Sequence, residues 1–218
     1  MQRFFDVFFS VLAIFFLLPL LIPIICILKL TGESEVFYIQ QRVGQDGKKF
    51  GLLKLATMLQ NSSNIGTRDI TIRDDPRVLP FGKFLRKTKI NELPQLWNIV
   101  IGNMSIVGPR PMIPSTYANY SKRAQDSLNT LKPGLTGIGS IIFRDEELYL
   151  VGLKEPMEFY IKNIIPYKSD LEIWFVENNS LLLYLKIILA TIWVVIFPRS
   201  KIIDTVFKGL PSKPKSLR

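Results

Sequence analysis

The stretch from Arg73 to Pro111, RDDPRVLPFGKFLRKTKINELPQLWNIVIGNMSIVGPRP, gathers the side chains best suited to handling a phosphorylated ligand. Arg110 stands between Pro109 and Pro111, which restrict the backbone on both sides and hold one guanidinium in a fixed direction. A pre-aimed arginine suits bidentate capture of phosphate; a loop arginine paired with a nearby carboxylate is the plainer alternative. Lys54, Arg77, Lys83, Arg86 and Lys87 add cations around the same stretch, and each alone would also fit a solvated basic face. Asn91 suits the N-cap, and Pro94 the first turn, of an apolar helix reaching Ile101. The free amides and positive dipole of that helix end would stabilise a phosphate in front of it. Glu92 fits a hard divalent cation bridging phosphate oxygens, or simply complements the dipole.

Composition narrows the chemistry. The 218 residues include no histidine and one cysteine, Cys26, so zinc-hydrolase and serine-histidine mechanisms, cysteine metal sites and disulfide frameworks are excluded. Proton transfer or metal ligation must use carboxylates, lysines, tyrosines or water. A net charge of +10 and a pI near 9.7 imply an anionic partner: acidic headgroups, a lipid phosphate or a nucleotide. Nucleic acid is not expected, because the basic residues lack the aromatic interleaving of a strand-binding surface.

The elements that must position these groups begin with an apolar run from Phe4 to Leu30, charged only at Asp6 and Lys29. As a straight helix it would reach roughly 40 Å, more than the roughly 30 Å hydrocarbon core of a bilayer. Pro19 and Pro23 each remove an amide, so the helix is expected to bend and to re-enter the face it came from rather than span. Basic flanks at Arg3, Lys29, Arg42, Lys48 and Lys49 keep the remainder on the cytoplasmic side. Thr31-Gly32-Glu33-Ser34 is a poor cleavage site for a signal peptide.

Beyond the membrane segment, residues 1–30, residues 31–180 fit one domain. Val36–Val43 and Lys49–Leu55 read as strands of a hairpin turning at Gly44-Gln45-Asp46-Gly47. Asn61–Gly66 reads as a loop and Asp74-Asp75-Pro76-Arg77 as a turn. Phe81–Lys87 reads as a short basic helix, and Ser115 to Thr130 as one polar helix. Leu181–Phe197 is apolar but interrupted by Lys186, which suits an interfacial or protein-packed helix whose lysine snorkels. Residues 198–218 form a basic tail, beginning Pro198-Arg199-Ser200-Lys201 and expected to be disordered from Pro211. The expected fold class is α+β and α-rich: a single cytoplasmic-face domain with a small β-hairpin on a proline-broken, re-entrant membrane helix.

The order KFLRKTKINELPQLWNIVIGNMSIVGPRP, the later KPGLTG and the broken amino-terminal apolar helix together resemble the bacterial sugar transferases, the monotopic polyprenyl-phosphate phosphoglycosyl transferases, from Arg3 to about Phe197. The resemblance implies transfer of a sugar-1-phosphate from a UDP-sugar to undecaprenyl phosphate, with release of UMP, at the cytoplasmic face of the bacterial inner membrane. The lipid-linked product would begin a glycan such as O-antigen, capsule or a glycoprotein oligosaccharide, with downstream glycosyltransferases as further partners. It also implies Mg²⁺ held by Glu92, catalysis at positions 91 and 92, and phosphate contacts from Lys54, Arg77, Arg86 and Arg110. Asp74 and Asp75 would contact metal or sugar or simply form the turn before Pro76. Arg144-Asp145-Glu146-Glu147 would read sugar hydroxyls or start a solvated helix, and Lys132-Pro133-Gly134 would support the nucleotide or serve as turn chemistry.

Three residues depart from the family's usual pattern. Asn91 stands where a nucleophilic aspartate is usual, Asn103 replaces the aspartate of Gly-Asp-Met-Ser, and Ala56 replaces the arginine of Lys-Phe-Arg-Ser-Met. A neutral amide is a poor nucleophile towards phosphorus. An active enzyme would therefore use Glu92, another carboxylate or direct attack by the lipid phosphate. The alternatives are an inactive relative that binds nucleotide sugar or polyprenyl phosphate for a partner enzyme, and a membrane scaffold.

Overall fold

The computed structural model describes residues 2–64, 75–197, 200 and 202–217. Helix α1 runs from Gln2 to Leu30 as one element that contains Pro19 and Pro23, so the lost amides do not end it. Asp6, Ser10, Ile24 and Leu28 are buried, and Ala13, Ile14 and Leu17 pack on Leu52, Leu96, Ile99 and Met104. These positions recur at helical spacing, so one stripe of α1 lies along the body of the protein. The opposite face is bare: Phe4, Phe8, Phe15 and Phe16 are 51–69% exposed.

The charges at the start of α1 are fasteners. Arg3 donates to the carbonyls of Ile99 and Val100 at 2.6 and 2.9 Å, satisfying groups that a helix end leaves open. Asp6 is buried and accepts from Ser105 Oγ, Ile106 N and Tyr184 OH, all at 2.9 Å.

Strands β1 (Phe37–Val43) and β2 (Lys49–Leu55) form the expected antiparallel hairpin. Helix α2 (Pro80–Lys87) follows, laid so close to the end of β2 that a Cβ at Gly82 would come within 2.3 Å of the Thr57 carbonyl oxygen. A 3-10 turn, Ile90–Glu92, leads into α3 (Gln95–Ile101). Asn98 of α3 pins the helix to the hairpin, donating to the Gly51 carbonyl at 2.8 Å and accepting from Leu53 N at 2.9 Å.

Strand β3 (Ser105–Val107) pairs in parallel with β4 (Gly134–Thr136). The alternation of apolar and polar residues is too short in either strand to have announced them. Between them lie α4 (Pro114–Tyr117) and α5 (Lys122–Asn129), which replace the single helix expected from Ser115 to Thr130. The break falls before Ser121, whose hydroxyl caps the second helix by accepting from Ala124 N.

After α6 (Ile138–Ile142) comes a 3-10 turn, Glu146–Leu150, then α7 (Pro156–Phe159), a π-helical segment Tyr160–Ile164 and α8 (Ile165–Glu177). Helix α9 (Leu181–Ile196) buries Leu183, Tyr184, Ile187, Ala190 and Val194 in the main core with Leu171 and Phe175 of α8. Its other face exposes Leu182, Leu189, Ile192 and Trp193.

The tail is not disordered where it is described, contrary to the sequence expectation. Helix α10 (Ile202–Val206) and a last 3-10 turn, Lys215–Leu217, dock on the main core, with Phe207 and Leu217 only 4% and 1% exposed. Ile202, Ile203, Val206 and Leu210 pack against the same core, so a basic segment docks through six apolar side chains. Residues 198, 199 and 201, which include Arg199 and Lys201, lie outside the described residues, as do 65–74, including Arg73 and Asp74.

Candidate active site

Glu92 is the hub of the site. Arg110 donates to it through both terminal nitrogens, Nη2 to Oε1 at 2.7 Å and Nη1 to Oε2 at 3.4 Å, and Lys54 Nζ lies 3.7 Å from Oε1. The side chains of Glu92 and Lys54 are each 15% exposed, whereas that of Arg110 is 40% exposed and reaches solvent. Burial pushes the Glu92 carboxyl up, but Arg110 and then Lys54 outweigh it and hold the group well below the usual carboxylate range. Burial pushes Lys54 down to about 7 in spite of Glu92. Arg110 is raised, chiefly by the charge of Glu92.

Two more guanidiniums surround this pair. Arg42 donates to the Pro111 carbonyl at 3.0 Å and to Gln40 Oε1 at 2.5 Å, while its buried Nε finds no partner among the described residues. Burial first, and then Arg110, bring Arg42 down to about 10. Arg86 is lowered by burial, with the charges of Glu147, Glu92 and Asp75 acting the other way. The sequence had offered Arg42 only as a flanking charge; pairing across the hairpin turns it inward.

The structure corrects two assignments made from the sequence. Asn91 is not the N-cap of α3: it sits inside the preceding 3-10 turn, Pro94 occupies the cap, and no side chain caps it. Lys89 takes a left-handed φ of 60° and separates this turn from α2, and the chain enters α3 three residues later than the Asn-Glu-Leu-Pro pattern suggests. Asn91 is 5% exposed, and its Oδ1 has no partner among the described residues. Arg77 is not an open phosphate contact. It is 3% exposed and clasps Asp75 with Nε at 2.8 Å and Nη2 at 2.6 Å, also donating to the Ser62 carbonyl. Lys83 and Lys87 are exposed.

Other parts of the site were legible only as alternatives, or not at all. Lys132-Pro133-Gly134 is structural: Pro133 O accepts from Ser105 N, and Gly134 N donates to Pro109 O, which ties down the loop carrying Arg110. Of Arg144 to Glu147, Glu146 turns to Lys168 with both oxygens, at 2.7 and 2.8 Å, while Arg144 bonds the Val194 carbonyl. Lys168 also reaches Tyr160 OH at 3.3 Å and stands over the rings of Phe143 and Tyr160. Glu172 is 3% exposed and is pushed up to about 7 by burial, against a hydrogen bond from the Arg110 main-chain amide. It went unremarked in the sequence, although an acid inside the apolar run from Leu171 to Val176 was the available signal.

No three acidic, histidine or cysteine side chains gather into a metal cage among the described residues. A Mg²⁺ that takes one carboxylate and completes its octahedron with substrate phosphates and water needs only Glu92. The donor set fits that ion in this limited sense.

What emerges is one strongly ionised carboxylate with Lys54 and Arg110 in contact and the charges of Arg42 and Arg86 acting nearby. The family model for bacterial sugar transferase matches residues 1–198. The chain belongs to the bacterial sugar transferase family. It is 33% identical to a UDP-galactose-lipid carrier transferase of Erwinia amylovora, over 90% of this chain but 40% of that protein. It is likewise 33% identical to the exopolysaccharide production protein ExoY of Sinorhizobium fredii, over 91% of this chain and 86% of the relative. An undecaprenyl-phosphate glucose phosphotransferase of Komagataeibacter xylinus is 35% identical over 64% of this chain and 27% of its own length. The chain thus covers most of one of these relatives and spans less than half of the other two.

Proposed function

We propose that this protein moves a sugar-1-phosphate from a UDP-sugar to undecaprenyl phosphate at the cytoplasmic face of a bacterial inner membrane, releasing UMP. The observation that carries the reading is the cationic ring on Glu92, built by Lys54 and Arg110 at contact and by Arg42 and Arg86 around them, on the same body that α1 lies along. An acceptor phosphate oxygen attacks the phosphorus that bears the sugar. A new phosphorus–oxygen bond forms, and the bond to the bridging oxygen breaks, with its electron pair leaving on UMP. No proton need move, so a site without histidine is adequate to the reaction. What it must supply is positive charge on the transferring phosphoryl group, which fixed guanidiniums provide with little reorganisation.

The geometry favours direct attack by the lipid phosphate over a relocated nucleophile. Arg110 and Lys54 hold the Glu92 carboxyl well below the usual carboxylate range, which makes it a weak nucleophile, and Asn91 is a buried amide. In this scheme Glu92 orients Arg110 and Lys54 and offers a ligand to Mg²⁺, which when bound neutralises phosphate charge. The membrane side of the proposal draws on α1. A helix packed along one body from Arg3 to Leu28 keeps both of its ends with that body, which supports a helix entering and leaving on one side.

Asn91 also favours a second reading, an inactive relative that binds donor or lipid for a partner enzyme. The test is UMP release by purified protein in detergent with Mg²⁺ and a panel of UDP-sugars. Release that requires undecaprenyl phosphate supports direct attack. Release without lipid, with a phosphosugar mass adduct on Glu92, would instead mark a covalent route. Saturable binding without turnover, and turnover gained only by Asn91→Asp, would establish the inactive reading and overturn the proposal.

A further inference from the structure

Residues 202–217 lie past the stretch matched by the family model, yet they are built into the core. Phe207 and Leu217 are buried, and Tyr167 OH donates to the Pro211 carbonyl at 3.2 Å. Lys213 donates to Tyr149 OH at 2.7 Å and stands 5.0 Å from the centre of its ring. Tyr149 belongs to the 3-10 turn Glu146–Leu150, the turn that brings Glu146 to Lys168.

The connection is short and runs through two lysines and two aromatic rings. The Tyr149 ring packs edgewise on Phe143 with centroids 5.8 Å apart, and Phe143 in turn lies under the Lys168 ammonium at 5.2 Å. Lys168 holds both oxygens of Glu146, whose charge acts on Arg110. Beyond the Glu146–Lys168 pair and the Tyr149–Phe143 contact, the turn has few fastenings. Leu150 is its one buried residue, Leu148 and Val151 are more than half exposed, and Gly152, at φ 75°, has open space around it. Such a segment takes its position from what is packed against it.

We propose that the C-terminal segment is a positioning strap: through Lys213 on Tyr149 it sets the Glu146 turn against Arg110, so that donor affinity depends on a residue outside the cationic ring. The inference rests on the donor-binding reading above. A hexose joined to a phosphate on Arg110 would be read by the polar cluster of Glu146, Lys168 and Tyr160, whose members bond one another and two of which, Glu146 and Tyr160, act on the charge of Arg110.

The experiment uses the full chain in detergent and compares Lys213→Ala with Lys213→Arg, which keeps both the donor and the cation over the ring. Amide hydrogen exchange of residues 144–151 should quicken at least tenfold in Lys213→Ala and return towards wild type in Lys213→Arg, with the hairpin from Phe37 to Leu55 unchanged. The donor KM should rise threefold to tenfold in Lys213→Ala at nearly constant kcat. Unchanged exchange in the turn, or uniform loosening of the whole protein, would overturn the strap. Local loosening with an unaltered donor KM would overturn its link to the donor. Should no UDP-sugar turn over, the exchange measurement still decides the strap while the functional reading fails separately.

Discussion

At the level of single residues, the site is a contest between burial and charge, and the winner differs from group to group. For Glu92 the two cations prevail; for Lys54 burial prevails, with the charges of Arg42, Arg110 and Arg86 acting with it against Glu92. The sign of the consequence follows. Lys54 carries its charge below about pH 7 and loses it above, while in the unfolded chain it keeps its proton to about 10.4. We expect kcat/KM for the donor, which reports the free enzyme, to fall as pH rises through 7, and Lys54→Arg to flatten that fall. The same shift should make stability rise with pH across the window from 7 to 10, a slope that Lys54→Met removes. Arg110→Lys keeps one charge but gives up the fork on Glu92, so kcat/KM should drop about 10- to 100-fold in steady-state UMP release. The Pro-Arg-Pro spacing announced Arg110 as an aimed side chain. It did not disclose that Glu92 would receive it, because the two meet only when α3 and the loop after β3 are folded together.

Elements are held by a few polar contacts set in apolar stripes. The amino-terminal apolar run was legible as a helix from composition, and its aspartate looked like an expense within it. In the folded protein Asp6 joins α1 to β3 and α9 through three hydrogen bonds in a buried place. Asp6→Ala should cost about 2–4 kcal/mol and loosen the start of α1, read as a lowered midpoint in thermal unfolding in detergent. The hairpin was legible to within one residue, since alternation and a Gly-bounded turn are local properties. The β3–β4 pair was not, for its strands meet through the close approach of Gly108 and Gly134, where a Cβ on Gly134 would fall 2.1 Å from Gly108 N. Asn91 was misjudged for a similar reason. Cap preference is local, but the left-handed Lys89 and the packing of α2 on β2 move the helix start to Pro94.

For the whole molecule, the net charge of +10 and the bare faces of α1 and α9 point to a membrane surface by two different forces. Charge attraction is screened within about 10 Å at 0.1 M salt, whereas burial of phenylalanine and leucine in lipid is not. Washing membranes with 1 M salt should therefore leave the protein in the pellet, and detergent should release it; release by salt alone would refute anchoring by α1. The amino-acid order alone was enough to establish a long apolar amino-terminal helix, a hairpin and a family, because these depend on composition and on neighbours a few positions apart. It could not establish that Arg77 would be spent on Asp75, that Arg42, Lys168 and Glu172 would turn inward, or that a basic tail would dock on Tyr149. Those outcomes depend on which surfaces come together from distant parts of the chain, and that is determined by the packing of the core as a whole.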